Sequence, residues 1–161
     1  MASIELQLLL LILIANGVPI IVAAVCGHRG AWPVDGGRRW TDGRRLLGDA
    51  KTWRGVMLAP LATGLGAMLL DWPATVGVVV GVAAMLGDLL SSFIKRRLGV
   101  PTSGMALGLD QIPEALLPLL AVAGVFGLSG STIAATTAGF VVLELSLSPI
   151  LYWLGIRNRP Y

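Results

Sequence analysis

A stretch near the middle of the chain, Gly87–Gln111, combines a carboxylate, hydroxyl groups and cations at helical spacing. If its first part is a helix, Asp88, Ser92 and Lys95 lie on one stripe, because residues i, i+4 and i+7 share a helix face. Arg96 flanks that stripe, and the surrounding residues are otherwise largely apolar. The pattern predicts a polar site on one side of an apolar helix.

A second carboxylate, Asp110, follows after a loop of Gly, Pro, Thr and Ser. Two carboxylates beside hydroxyls and cations are hard oxygen ligands, which suit Mg²⁺ together with the phosphates of a substrate. The single histidine, His28, excludes a His/Cys zinc cluster and a Ser-His-Asp triad, and no GxxxxGK[ST] motif is present. The residues therefore predict phosphate chemistry in which a metal and cations neutralise developing charge.

The composition identifies an integral membrane protein. Hydrophobic residues make up 55% of the 161 residues and charged residues 13%, and the mean hydropathy is +0.80; soluble domains carry roughly 25% charged residues. The single cysteine, Cys26, excludes an internal disulfide and is expected to be a small buried hydrophobe. We expect an all-α protein with one domain, residues 1–161, and five transmembrane helices. The apolar stretches are Leu6–Cys26, Val56–Leu70, Ala74–Ile94, Ile112–Leu128 and Thr132–Leu154.

The basic residues predict the topology. With five spans, all twelve lie on one side of the membrane, in a loop at 27–55, a loop at 95–111 and the C-terminal tail. By the positive-inside rule that side is cytoplasmic, so the N-terminus lies outside and the C-terminus inside. We expect a multi-pass protein of the cell (plasma or inner) membrane whose active site faces the cytoplasm. The residues counted are Arg29, Arg38, Arg39, Arg44, Arg45, Lys51, Arg54, Lys95, Arg96, Arg97, Arg157 and Arg159.

The first cytoplasmic loop, residues 27–55, is rich in Gly, Arg and Asp and contains interleaved tryptophans. Glycines allow close approach of the backbone to a ligand, and Arg and Lys donate to phosphate oxygens. A patch that binds anionic lipid headgroups is the simpler alternative. The loop's three aspartates would weaken the attraction of such a patch for the headgroups. We interpret them as partners that orient Arg or Lys.

Three polar residues inside apolar stretches have no assigned role. Glu114 is interpreted as an acid at a helix start, favoured by the helix dipole. Asn16 is expected to bond to a neighbouring helix or to shape a cavity near Pro19. Glu144, near the middle of the last stretch, must be neutral or paired there.

Two motifs resemble those of the CDP-archaeol synthase family, which is related to the bacterial phosphatidate cytidylyltransferases. The first is the Gly87-Asp88-Leu89…Ser92-Phe93-Ile94-Lys95-Arg96-Arg97 run with Leu109-Asp110-Gln111. The second comprises Pro33-x-Asp35-x-Gly37, Asp42-Gly43-Arg44-Arg45, Leu47-Gly48-Asp49 and Lys51-Thr52-Trp53-Arg54-Gly55. The C-terminal segment 154–161 is also similar, so the resemblance spans nearly the whole chain. In the larger bacterial cytidylyltransferases the stretch before the aspartate contains a histidine. The segment 98–109 contains none, which favours the shorter archaeal-type branch.

The resemblance implies a membrane cytidylyltransferase with Mg²⁺ as cofactor. CTP and a phosphorylated glycerolipid, either an archaeal-type ether lipid or phosphatidic acid, would give CDP-lipid and pyrophosphate. By carry-over, the catalytic residues are Asp88, Asp110 and Lys95, of which Asp88 and Asp110 hold the metal. The implied CTP- and phosphate-binding residues are Ser92, Arg96, Asp42, Arg44, Lys51, Thr52 and Arg54.

Other functions compete with this interpretation. One is another membrane enzyme of lipid-phosphate metabolism; another is a small membrane transporter or a non-catalytic scaffold. A transporter would spread its polar residues across the bilayer, whereas here they concentrate at the cytoplasmic edge, with Asn16 and Glu144 as the exceptions. Expected partners are CTP, a phosphorylated membrane lipid and the lipid bilayer, with no nucleic acid. A homodimer is left open.

Overall fold

The computed structural model of the chain describes residues 3–156, which contain five α-helices and no strands beyond isolated bridges. The all-α fold and the five helical stretches are therefore confirmed; Arg157, Arg159 and the rest of the tail lie outside the described residues. Three of the helices, Ile4–Cys26, Ala74–Arg97 and Gly130–Trp153, are long and apolar enough to cross a membrane, and Gln111–Phe126 is a shorter apolar helix. The helices are α1 (Ile4–Cys26), α2 (Trp53–Leu69), α3 (Ala74–Arg97), α4 (Gln111–Phe126) and α5 (Gly130–Trp153).

Helix ends follow local sequence signals. The Ser3 side chain accepts from the Leu6 N–H and caps α1, and Ser129 likewise accepts from the Thr132 N–H at the start of α5. At the end of α4, Gly127 has a φ of 62°, the left-handed conformation that favours glycine. These signals set the length of the apolar segments that pack together.

Helix α3 is the central helix and packs against α1, α2 and α4. A short turn joins α2 to α3, so the two run antiparallel. Gly77 and Gly81 lie where α3 meets Thr63 and Pro60 of α2, and a Cβ at either glycine would overlap α2 atoms. These small residues let the two helices approach closely. This contact positions the polar C-terminal half of α3.

The core of the bundle is formed by aliphatic side chains from all five helices together with Phe140 of α5. Many other large apolar side chains are exposed, among them Leu69, Val25 and Trp153 at 86%, 79% and 92%. Such an apolar exterior is the surface expected of a protein surrounded by lipid. The prediction for Cys26 was wrong: its thiol is free but exposed, like the other residues at the end of α1.

Candidate active site

The first loop folds around the carboxylate of Asp35, whose side chain is fully buried. Its oxygens accept hydrogen bonds from the N–H groups of Gly37, Leu47 and Gly48 at 3.0–3.1 Å, and from Arg45 at 2.6 Å. Burial opposes ionisation of Asp35, but these donors outweigh it and hold its pKa well below the usual value. Asp35 thus orders the loop, as expected for an aspartate that orients an arginine.

Reciprocal arginine contacts fasten this loop to the end of α3. Arg97 Nη1 lies 2.6 Å from Asp42, and its Nη2 lies 2.5 Å from the carbonyl oxygen of Arg45. In the opposite direction, Arg44 Nη1 donates to the carbonyl oxygen of Arg97 at 2.6 Å and more weakly to that of Arg96. The last carbonyls of a helix lack intrahelical donors, so Arg44 also caps α3. The two loops therefore meet at one end of the bundle.

Arg54 and Thr52 occupy the junction between α1 and α2. The Arg54 guanidinium donates to the carbonyl oxygens of Gly27, at 2.6 Å, and of Arg29. Thr52 is the residue before α2 and pairs with Pro33 in an isolated antiparallel bridge. Both residues tie the start and the end of the loop together.

Two lysine–aspartate pairs lie next to this junction. Lys51, just before α2, donates to the carboxylate of Asp88 on α3. Lys95, nearly two helical turns further along α3, has its Nζ 2.5 Å from Oδ1 of Asp110, the residue that precedes α4. All four side chains are largely buried, with exposures from 10% to 23%. The structure therefore brings Asp88, Lys95 and Asp110 to the same end of the bundle.

The second loop is closed over the end of α3 by its own hydrogen bonds. Lys95 also donates to the carbonyl oxygen of Gly104, and Arg96 Nη2 donates to that of Pro101. Asp110 Oδ2 accepts from the N–H of Ala106 at 2.9 Å. The bond from Ala106 holds the aspartate in place independently of Lys95.

The predicted stripe on α3 is confirmed as part of one helix with a buried polar face. Ser92 is 2% exposed, and Arg96 is 5% exposed with an Nε atom that has no hydrogen-bond partner among residues 3–156. A buried N–H without an acceptor is costly, so it is suited to an added anionic ligand. Ser92 and Arg96 thus lie where phosphate oxygens could be bound.

Glu114 was interpreted only as an acid at a helix start. It does lie in the first turn of α4, but it is also buried, and its carboxyl group lies next to that of Asp88. Lys51 and Glu144 of α5 are close enough to interact with it electrostatically. The spacing contained a usable signal, since Glu114 is four residues after Asp110 and hence on the same helix face.

Two cavities open beside these residues. One, of about 240 Å³, is lined by Arg44, Arg45, Arg96 and Thr102 with neighbouring residues of the second loop. The other, of about 480 Å³, lies between the first loop and Phe93 and contains none of the predicted catalytic residues. The smaller cavity is the better candidate for an anionic ligand, because cationic side chains concentrate there.

The predicted CTP-binding set is thus divided between two places. Ser92, Arg96 and Lys51 lie at or beside the lysine–aspartate pairs. The four others are tied up in contacts within the protein that hold the loop in place: Asp42, Arg44, Thr52 and Arg54. Their contact with a nucleotide stays a prediction.

The donors of the site fit a hard cation such as Mg²⁺. No group of three or more His, Cys, Asp or Glu side chains is arranged to hold a metal within the described part of the chain. However, Mg²⁺ commonly takes only one or two protein carboxylates and completes its shell with phosphates and water. Asp88 and Asp110 each already neutralise a cationic ammonium group, so both can carry negative charge here.

Comparisons with known proteins identify the family. A CDP-archaeol synthase family model matches residues 1–73 and 66–161. The chain belongs to the CDP-archaeol synthase family. It is 35% identical to the CDP-archaeol synthase of Thermococcus kodakarensis over 150 residues, which cover 86% of this chain and 80% of that protein. It is also 35% identical to that of Halorubrum lacusprofundi over 168 residues, covering 89% and 91%.

A solved structure of an intramembrane enzyme for archaeal membrane lipid biosynthesis has the same fold. Its TM-score is 0.67 at 30% identity, and the match covers 85% of this chain and 90% of the other. Membership of the CDP-archaeol synthase family makes the chain a membrane-embedded, CTP-dependent lipid nucleotidyltransferase. The resemblance found in the two loop motifs is confirmed, and the transporter and scaffold alternatives are excluded.

Proposed function

We propose that the chain transfers the cytidylyl group of CTP to the phosphate of an ether-linked archaeal-type glycerolipid. A lipid phosphate oxygen attacks the α-phosphorus of CTP, a new P–O–P bond forms, and the bond to the β-phosphate breaks to release pyrophosphate. The observation that carries this proposal is the paired arrangement Lys51–Asp88 and Lys95–Asp110 in a chain of this family. The proposed lipid follows the names of its relatives.

The residues act by positioning and by neutralising charge. A lipid phosphate is already ionised near neutral pH, so the attack requires no strong protein base. Lys51, Lys95 and Arg96 supply cations beside the reacting phosphates, and Ser92 supplies a hydroxyl donor. The tight packing of these side chains around the two aspartates supports this assignment, because a preorganised site does not have to reorient during the reaction.

Asp88 and Asp110 are proposed as the residues that would hold Mg²⁺. When bound, the metal supplies charge neutralisation for the triphosphate. In the structure Lys51 and Lys95 form ion pairs with these carboxylates. Binding of metal and substrate would therefore replace part of these ion pairs. The triphosphate is the natural new acceptor for the lysines, since it brings several anionic oxygens into the same space.

We further propose that all five helices cross the membrane, with the N-terminus outside and the site at the cytoplasmic face of the cell membrane. Loop 27–52 contacts the end of α3 through Arg44 and Arg97, so both lie on the same side and the α2–α3 hairpin spans outwards and back. The basic residues on that side support a cytoplasmic location. CTP is then available directly from the cytoplasm.

Incorporation of radiolabelled CTP into lipid tests the proposal. The purified protein is assayed with Mg²⁺ and with ether-linked or ester-linked phosphatidic acid in matched micelles. We expect labelled CDP-lipid and release of one pyrophosphate per transfer, with higher kcat/KM for the ether-linked acceptor. Preference for the ester-linked acceptor would contradict the lipid assignment, and no transfer to either would contradict the function.

A further inference from the structure

Helix α5 packs against α1 and α4 and, within residues 3–156, does not approach α2 or α3. Apart from Ser148, the buried side chains of α1 and α5 lie in the first part of each helix. Both helices start at the end of the bundle that is far from the lysine–aspartate pairs, because the loops at the site follow α1 and α3. The two helices therefore pack together at this far end. The buried residues there are Leu8, Leu11, Ile12 and Ala15 on α1, and Ile133, Thr136, Thr137 and Phe140 on α5.

Closer to the site, the same faces of α1 and α5 lose their cover. Ile12, Asn16 and Ala23 share one face of α1; the first is fully buried, the second half-buried and the third exposed. On α5, Phe140 and Leu147 share a face, and their exposed fractions are 0% and 38%. Ile12 and Phe140 belong to one buried cluster, so both faces point into the same part of the bundle. The second halves of α1 and α5 are thus separated by an opening, the lateral slot.

Contacts with other helices keep the two walls of the lateral slot in place. Pro19 of α1 lies against the start of α2, since a Cβ on Gly55 would come within 3.1 Å of it. The Arg54 side chain also donates to the carbonyl oxygen of Gly27, just after α1. The second half of α1 is thus attached to α2, whereas α5 is attached to α4 on the opposite side of α3.

The lateral slot leads to the Lys51–Asp88 pair. Ala15 of α1 and Ala84 of α3 belong to one buried cluster, so α1 covers α3 at that level. Asp88 lies one turn after Ala84 on the same face of α3, and no residue of α1 after Ala15 is buried. The Lys51–Asp88 ion pair therefore lies at the inner end of the slot.

The chemistry of the slot matches a lipid with an anionic head. Ala23 and Leu147 at its entrance are apolar, as lipid tails require, whereas Asn16 further in carries an amide and Lys51 at the inner end carries a positive charge. A lipid that moves sideways within the bilayer keeps its tails out of water, which an approach through the polar loops would not. The slot thus suits a phosphorylated glycerolipid better than a soluble substrate.

We propose that the phosphorylated acceptor lipid enters sideways through the lateral slot between α1 and α5, and that its tails remain there while its phosphate contacts Lys51. This inference rests on the proposed cytidylyl transfer. The cationic cavity lined by Arg44 and Arg96 lies between the two loops, so CTP reaches the reacting phosphate from a different direction. The two substrates then meet without passing through the same opening.

The first test narrows the slot from each wall with Ala23→Trp and Leu147→Trp. We expect each to lower kcat/KM for ether-linked phosphatidic acid in micelles at least about tenfold, with Kd for CTP, measured by titration calorimetry, unchanged. Ala24→Trp is the matched control, because Ala24 is also exposed but points about 100° away around α1. It should leave both quantities unchanged.

The second test locates the lipid directly. The unsubstituted protein is irradiated with an ether-linked phosphatidic acid that carries a diazirine in one tail, and the attachment sites are mapped by mass spectrometry. We expect attachment within residues 16–26 and 141–153 that excess unlabelled lipid prevents, and less attachment there in Leu147→Trp. This readout needs no turnover and decides alone if a tryptophan variant does not fold.

Three results would overturn the inference. They are normal lipid kinetics in both slot variants, an equal loss in Ala24→Trp, and competed attachment only on other faces such as that of Leu61 and Leu65. A second copy of the chain sealing the slot would exclude the label and give the third result. Absence of cytidylyl transfer by the unsubstituted protein instead refutes the proposed function, while competed labelling of the slot would still show lipid binding there.

Discussion

Lys95 and Asp110 form an ion pair of 2.5 Å that joins the last part of α3 to the start of α4. Asp110 is held additionally by the N–H of Ala106, and Lys95 by the carbonyl oxygen of Gly104. The second loop is therefore folded back on the pair that it encloses. Since the Lys51–Asp88 pair joins the first loop to α3, each loop contributes one charged partner to the site.

Removing one proposed metal-holding carboxylate should stop turnover. We expect Asp88→Asn and Asp110→Asn each to lower kcat at least about 100-fold, because each loses charge beside the reacting phosphates. The measurement is CTP-dependent labelling of lipid by purified, monodisperse protein. Asp71→Asn, in the α2–α3 turn where φ is +61° and Asn is tolerated, serves as the control. Normal transfer by either site variant would refute the assignment.

The contact of Gly87 with α4 predicts a sharp effect of a single methyl group. Gly87→Ala places a Cβ against the backbone of Pro113 and Glu114, so α3 and α4 must separate. We expect a lower unfolding temperature and, because Asp88 is the next residue, at least about tenfold lower kcat. Both are measured on the detergent-solubilised protein.

Gly124→Ala is the control for this substitution. Gly124 lies on α4, and a Cβ there meets no atom within 4 Å. We expect it to leave activity unchanged. If Gly87→Ala behaved like Gly124→Ala, the close approach of the two helices would not support the site.

The buried carboxylate of Asp35 predicts a pH-dependent stability. Its folded-state pKa lies below the unfolded value of about 3.9. The stabilisation that this shift gives is therefore complete above about pH 5 and is lost as the pH falls through the folded pKa. We expect Asp35→Asn to lower the unfolding temperature by several degrees at pH 7, and the difference from the unsubstituted protein to shrink below about pH 4.

Asp49→Asn provides the comparison for Asp35. Asp49 also pairs with Arg45, at 2.8 Å, but its side chain is 75% exposed. Exposed pairs contribute little, so this variant should unfold close to the temperature of the unsubstituted protein. An equal loss in both variants would show that the Asp35 network does not order the loop.

The contacts of Arg97 predict that it holds the first loop in place. Arg97→Gln removes the ion pair with Asp42 and the bond to the carbonyl oxygen of Arg45. We expect chymotrypsin to cleave within residues 27–52 about ten times faster, as for a loop that opens more often, and KM for CTP to rise several-fold. Arg29→Gln removes an exposed charge from the same loop and should change neither quantity.

The helices and the site stripe were predictable from the sequence because they depend on local periodicity. Apolar length marked all five helices, and the spacing of Asp88, Ser92 and Lys95 placed them on one helix. The pairings were not predictable in this way. Lys51 is 37 residues from Asp88, and Arg97 is 55 residues from Asp42, so only the packing of α2 on α3 and of the loop on α3 brings them into contact.

The proposed orientation is tested by cysteine labelling in a Cys26→Ser background. Trp32→Cys lies in the first loop, where Trp32 is 76% exposed, and Ser131→Cys lies near the α4–α5 turn. With α2 through α4 each crossing once, an impermeant maleimide should label Ser131→Cys in right-side-out vesicles and Trp32→Cys only in inverted ones. This follows because the basic loop is retained on the cytoplasmic side. Labelling of Trp32→Cys from outside would show the opposite orientation, in which the site faces away from the cytoplasm and its CTP.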